Sequence, residues 1–211
     1  MSAALRLEDL RITRGGRPLL EVEATVRPGE VLSVMGPSGI GKSTLLAAIM
    51  GTLPAGFAMT GRIWLDGREI TGLPPEARGV GILFQDSLLF PHLSVAGNLA
   101  FALPRHVRGR AERQARVQRA LEEIGLSGFG TRDPATLSGG QKARVALMRM
   151  LLAEPRALLL DEPFSRLDAQ LRGQIRQMVL GRARAGGLPV ILVTHDAEDA
   201  QAAGGARIDL D

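Results

Sequence analysis

Hydrophobic and polar residues alternate at the start of the chain: Leu5, Leu7, Leu10 and Ile12, then Leu20, Val22, Ala24 and Val26, on either side of Gly15-Gly16. A period of two interrupted by a glycine pair predicts half-buried antiparallel strands joined by a turn. The unbroken apolar run Val31 to Val34 predicts a strand buried on both faces, followed by a Gly/Ser-rich stretch and a helix-compatible segment, Ser43 to Met50. Arg62 to Leu65 and Arg68 to Ile70 flank Asp66-Gly67, a pair that tolerates the positive φ angles of a tight hairpin, so a second hairpin extends this β-rich edge.

Val80 to Phe84 predicts another buried strand, ending at Gln85. Beyond it Pro91, Gly97, Pro104 and Gly109 break the chain into short pieces, and Arg108 to Ile124 carries Val117, Leu121 and Ile124 at helical spacing. Residues from Asp86 to Thr136 are therefore expected to form a helical lobe inserted into one domain made of residues 1–85 and 137–211. A helix from Gly139 to Leu152, a strand from Ala157 to Leu160, a helix from Ala169 to Arg184 and a strand from Val190 to Val193 follow. Strands alternating with helices predict an α/β fold with a mainly parallel sheet covered on both faces. The end, Ala202 to Asp211, is rich in small residues and is expected to be loosely held.

Composition narrows the chemistry. At 211 residues and 45% hydrophobic the chain can bury a sizeable core in one domain with a lobe. With no cysteine, disulfides and thiolate metal sites are excluded, and a reducing compartment, the cytoplasm, is expected. The first residues lack the basic flank and apolar core of a signal peptide, and no run of about 18 apolar residues occurs, so neither export nor a membrane span is expected. The isoelectric point of about 10.8 reflects arginine rather than a large excess of charge, the net value being only +4. Only two of the 26 basic residues are lysines, Lys42 and Lys142, so a lysine kept against that bias is a candidate for a specific role. The arginines from Arg105 to Arg119 read as a solvated helix face, and no nucleic-acid partner is expected.

Gly36-Pro37-Ser38-Gly39-Ile40-Gly41-Lys42-Ser43-Thr44 fits the phosphate-loop pattern and lies between a buried strand and a helix, the context that pattern requires. Successive backbone N–H groups and the helix N-terminus favour phosphate oxygens, Lys42 reaches the β- and γ-phosphates, and the Ser43 hydroxyl is a ligand for Mg²⁺. ATP with Mg²⁺ is the implied ligand class. Asp161 and Glu162 end a buried strand as adjacent carboxylates; such a pair is usually a solvated strand end, but beside a phosphate loop Asp161 suits the magnesium shell and Glu162 the attacking water. Ser138-Gly139-Gly140-Gln141 opens a helix with a capping residue and two bare glycine amides, by itself an ordinary cap or a second anion contact.

Taken together, the phosphate loop, Gln85, Leu137 to Gln141, Asp161-Glu162, Ser165-Arg166-Leu167-Asp168 and His195 in Val-Thr-His-Asp resemble the ABC (ATP-binding cassette) ATPases in order and spacing. The stretch from Leu83 to Val95 is similar to that of bacterial importer ATPases. The resemblance implies an ABC ATPase fold and a homodimer that sandwiches two ATP molecules head to tail. Ser138, Gly139, Gly140 and Gln141 of one subunit would then face the phosphate loop of the other. It further implies that Gln85 touches metal and water, Asp168 bridges the seam, and His195 contacts the γ-phosphate. The helical lobe would receive a short helix from integral membrane permease subunits, with a substrate-binding protein as an indirect partner and the chain held peripherally on the cytoplasmic face of the inner membrane.

Two positions depart from the pattern. Arg14 stands where relatives carry an adenine-stacking aromatic, and a guanidinium plane is a substitute platform for a base. Arg166 stands where a small residue is common. A fused regulatory domain is not expected, His195 lying 16 residues from the last position. The competing reading is a soluble or non-transport ABC ATPase acting on nucleic acid, a ribosome or a cell-division membrane complex; a nucleotide sensor would lack part of the set formed by Lys42, Gln85, Glu162 and His195.

Overall fold

The computed structural model describes residues 4–165 and 167–210, so Arg166 lies outside the described residues. Strands β1 (Leu5–Arg14) and β2 (Arg17–Val26) pair antiparallel about the Gly15-Gly16 turn, and β1 also pairs with β4 (Phe57–Leu65). The alternation Leu5, Leu7, Leu10, Ile12 puts all four side chains at 0% exposure, which fixes the register of the sheet. The short β5 (Arg68–Glu69) completes the order β2-β1-β4-β5, hairpinned at Asp66-Gly67.

The second sheet is wholly parallel, in the order β6-β7-β8-β3-β9, formed by β3 (Val31–Met35), β6 (Val80–Leu83), β7 (Ala157–Asp161), β8 (Val190–Val193) and β9 (Ala206–Asp209). Its central strands read as continuous apolar runs because helices cover both faces. Helix α1 (Lys42–Met50) packs with the antiparallel sheet in one core through Leu45, Leu46 and Ile49, while α5 (Ala169–Ala185) closes the other face through Ile175, Val179 and Ala183.

A third core gathers α2 (Val95–Ala102), α3 (Arg110–Glu123) and one side of α4 (Gly139–Leu152). Val145 and Met148 of α4 enter this helical core, while Ala146, Leu147 and Met150 enter the core beneath the parallel sheet.

The structure corrects the sequence reading at several places, among them β5, which ends at Glu69 rather than Ile70, and α3, which spans Arg110–Glu123 rather than Arg108 to Ile124. The stretch expected to be broken by Pro91 and Gly97 contains α2, capped by Ser94, whose hydroxyl accepts from the Gly97 amide at 3.1 Å. The end expected to be loosely held forms α6 (Ala197–Ala203) and β9, and β9 pairs with β3 along the sheet edge. Strand β4 starts at Phe57 rather than Arg62, because its outer half pairs with β1, and β6 stops at Leu83 rather than Phe84.

Candidate active site

Four neighbouring parallel strands release the chain at the same edge of the sheet: β6 into Phe84-Gln85, β7 into Glu162, β8 into Thr194-His195 and β3 into the phosphate loop. The carboxyl ends of such strands are where open α/β sheets place their ligands. Ser38, Gly39 and Gly41 to Thr44 form one wall of a cleft of about 360 Å³, and Gln85, Asp161, Glu162 and His195 form the other.

The phosphate loop enters α1 through Gly41 at φ 113, a backbone conformation open to glycine but not to residues with a Cβ. No side chain caps α1 and no acidic residue occupies its first turn, which leaves the first amides and the positive end of the helix to an anion. Lys42 is 7% exposed, and its Nζ donates to the carbonyls of Gly36 at 2.6 Å and Pro37 at 2.9 Å, arching the side chain back over the loop.

The Ser43 hydroxyl donates to Asp161 Oδ1 at 3.3 Å, joining α1 to the end of β7. Burial pushes the Asp161 carboxyl above its ordinary value, and Glu162 pushes the same way, while the Ser43 hydrogen bond and the Lys42 charge pull it down. A half-buried carboxylate next to a hydroxyl is an all-oxygen donor pair, the set that Mg²⁺ prefers.

Glu162 follows at φ 49, in the left-handed region, a strained conformation for a residue with a side chain. That turn aims the two adjacent carboxylates differently. Glu162 meets His195, whose Nδ1 lies 2.7 Å from Oε1 and 2.6 Å from Oε2. A carboxylate only accepts, so Nδ1 carries the hydrogen and Nε2 is left for another partner. Gln85 Nε2 donates to Ser165 Oγ at 3.2 Å, and Ser165 Oγ donates to the Glu162 carbonyl at 2.9 Å. Ser165 thus links Gln85 to Glu162, a role that sequence reasoning had not assigned to it.

The remaining candidates lie away from this cleft. Ser138 caps α4 in a reciprocal box with Gln141: the Gln141 amide donates to Ser138 Oγ at 3.3 Å and the Ser138 amide to Gln141 Oε1 at 2.9 Å. Gly139 lines a second cleft of about 480 Å³, which shares Gln85 with the first and includes Lys142. Gly140 lies close against α5: a Cβ there would come within 1.9 Å of Cδ2 at the tip of the half-buried Leu171 side chain. Asp168 caps α5, accepting from the Leu171 amide at 2.9 Å. Arg14 ends β1 with its guanidinium 5.5 Å from the centre of the Phe57 ring, so an aromatic does stand beside it, contributed by β4.

The ABC transporter family profile matches residues 19–165. The chain belongs to the ABC transporter family. It is 51% identical over 201 residues to the uncharacterized ABC transporter ATP-binding protein YnjD of Escherichia coli (strain K12), covering 95% of this chain and 89% of that one. It is 47% identical to the spermidine/putrescine import ATP-binding protein PotA of Methylococcus capsulatus, over 86% of this chain but 46% of PotA. It is 43% identical to the thiamine import ATP-binding protein ThiQ of Jannaschia sp., over 93% and 84% of the two chains. The chain thus spans about half the length of some relatives and nearly all of others. As a member of the ABC transporter family it is an ATP-binding subunit, an ATPase whose activity is coupled to transport.

Proposed function

We propose that the chain is the ATP-hydrolysing subunit of an importer and acts as a homodimer on separate membrane permeases. The observation that carries the reading is the cleft itself, where four strand ends bring Lys42, Ser43, Gln85, Asp161, Glu162 and His195 together. The import names of PotA and ThiQ support the direction of transport.

In this reading the amides of Gly36 to Thr44 and Lys42 hold the phosphates of ATP, Lys42 exchanging its loop carbonyls for the β- and γ-phosphates. Ser43, Asp161 and Gln85 would hold Mg²⁺, which supplies charge neutralisation to the phosphates. Glu162 accepts a proton from the water that attacks the γ-phosphorus, and the bond to the ADP oxygen breaks. His195 fixes the Glu162 carboxylate through Nδ1 and offers Nε2 toward the γ-phosphate. Ser138, Gly139, Gly140, Gln141 and Asp168, which do not line the chain's own phosphate-loop cleft, act on the nucleotide of the second subunit. Arg14 and Phe57 frame the base.

Residues 86–136 serve as the lobe that meets the permease, with 1–85 and 137–211 as the nucleotide-binding core. Support comes from an apolar groove of about 310 Å³ beside Gln85, where Phe84, Leu88 and Phe101 are 43%, 58% and 68% exposed. Leu88 is held there at φ 42, an outlier for a bulky residue. No helix of the described residues is long and apolar enough to cross a membrane, and peripheral attachment at the cytoplasmic face follows from docking to the permease.

Phosphate release from MgATP tests the reading. Glu162→Gln is expected to bind nucleotide as the wild type does while turnover falls about 10²-fold or more. Turnover should rise steeply with protein concentration, as a dimer requires, and rise again with co-purified permease in lipid. Stimulation by DNA or RNA with no membrane partner would overturn it.

A further inference from the structure

One charged cluster outside the cleft is built with more care than a surface ion pair. Asp199 of α6 is 2% exposed and receives Arg172 Nε at 2.9 Å, an Arg172 terminal nitrogen at 2.6 Å and Arg176 at 2.9 Å. The same Arg172 also pairs with Asp196, the residue after His195. Asp196 caps α6 by accepting from the Glu198 amide at 2.8 Å, and its own amide donates to the hydroxyl of Thr194 at 3.1 Å. Thr194 is 1% exposed and its amide is bonded to Val34 of β3 at 3.2 Å. The segment from Thr194 to Asp196 is therefore fixed on one side by the sheet and on the other by Arg172.

Arg172 sits in the first turn of α5, where its amide donates to the Asp168 carbonyl at 2.8 Å. Its neighbour Leu171 closes against Gly140 at the start of α4. One helical turn thus touches Asp168, the Ser138–Gln141 helix start and the loop that carries His195.

We infer that Arg172 is a positioning residue: through Asp196 it sets the loop of His195, and hence the His195–Glu162 pair, relative to the α5 start that bears Asp168. This rests on the hydrolytic reading above. Arg176 provides an internal control, because it shares Asp199 with Arg172 yet makes no pair with Asp196 among the described residues. Either arginine left in place still partners the buried Asp199 carboxylate, so neither single substitution orphans it.

The test uses the full chain with MgATP. Arg172→Gln should lower kcat about tenfold with KM for ATP nearly unchanged, as expected for a misplaced catalytic group rather than lost binding. Arg176→Gln should lower the unfolding temperature comparably and leave kcat within about twofold. Asp196→Asn keeps the helix cap but removes the charge pair; it should reproduce the kcat loss of Arg172→Gln, and the double variant should be no slower than either single one. Arg172→Lys should restore part of kcat. Equal kcat losses in the Arg172 and Arg176 variants, or full additivity with Asp196→Asn, would overturn the inference while wild-type turnover stands. A wild type without turnover would remove the hydrolytic reading and the inference together.

Discussion

Arg78 is the buried cation whose removal has the most calculable consequence. It is 5% exposed and forms no ion pair among the described residues; its guanidinium donates instead to four backbone carbonyls. Nε reaches Leu73 at 2.8 Å, one terminal nitrogen reaches Ala48 at 3.0 Å and Ile49 at 2.8 Å, and the other reaches Thr71 at 2.6 Å. Ala48 and Ile49 belong to the last turn of α1, so the charge sits at the negative end of the helix whose other end forms the phosphate loop. Burial lowers the Arg78 pKa, which shows that the site costs something to charge. Arg78→Met fills much of the volume, ends that cost and removes the guanidinium donor from all four carbonyls, of which Ala48 keeps the Gly51 amide at 3.1 Å. A bond from a charged donor contributes about 1.5–3 kcal/mol, and after subtracting the relieved desolvation we expect a loss of about 3–5 kcal/mol. For a chain of this length that corresponds to about 6–20 °C in Tm. Trp64, the single tryptophan, reports unfolding by fluorescence from the adjoining antiparallel sheet. Arg78→Lys should recover only part, since an ammonium lacks the planar fork. An Arg78→Met chain within about 1 kcal/mol of wild type in urea would refute the claim that these carbonyls depend on the guanidinium.

Three further outcomes follow from the site. Asp161→Asn should raise Tm at neutral pH while abolishing magnesium-dependent turnover: a carboxyl whose folded pKa is raised binds its proton more tightly when folded, so the wild type loses stability as pH climbs above the ordinary carboxylate range. The advantage of the variant should shrink as pH is lowered back through that range, and a pH-independent difference in calorimetry would count against burial as the cause. Gly140→Ala must move the tip of the half-buried Leu171 side chain, a cost offset by the roughly 0.5–1 kcal/mol that alanine gains over glycine inside a helix, so unfolding curves should lie within about 1 kcal/mol of the wild type, and a larger loss would show that Leu171 cannot move. Arg14→Ala should weaken ATP binding and narrow any preference for ATP over GTP in competition, whereas unchanged discrimination would detach Arg14 from the base.

What could be read from the sequence shares a physical form. The buried strands announced themselves because Ala157 to Leu160 and Val190 to Val193 must be apolar on both faces, and the phosphate loop and the Asp161-Glu162 pair because each is a contiguous string at a strand end. Helix α2 was hidden because its hold is tertiary. Gly97 weakens its propensity, yet Asn98, fully buried, accepts from the Phe90 amide at 2.8 Å and donates to the Phe90 carbonyl at 3.1 Å, fastening the preceding loop to the helix. Strand β9 was hidden because its side chains are mostly exposed and its stability lies in backbone bonds to β3. The same division runs through the site. Groups that touch a phosphate must sit at adjacent strand ends, so chain order writes them as motifs. Groups that hold those residues in place need only spatial proximity, and Arg172 finds Asp199 27 residues away while Ser165 meets Gln85 across 80. Such distant supports leave no periodicity or local spacing, which is why a sequence can state a chemistry plainly while leaving unwritten the contacts that orient it.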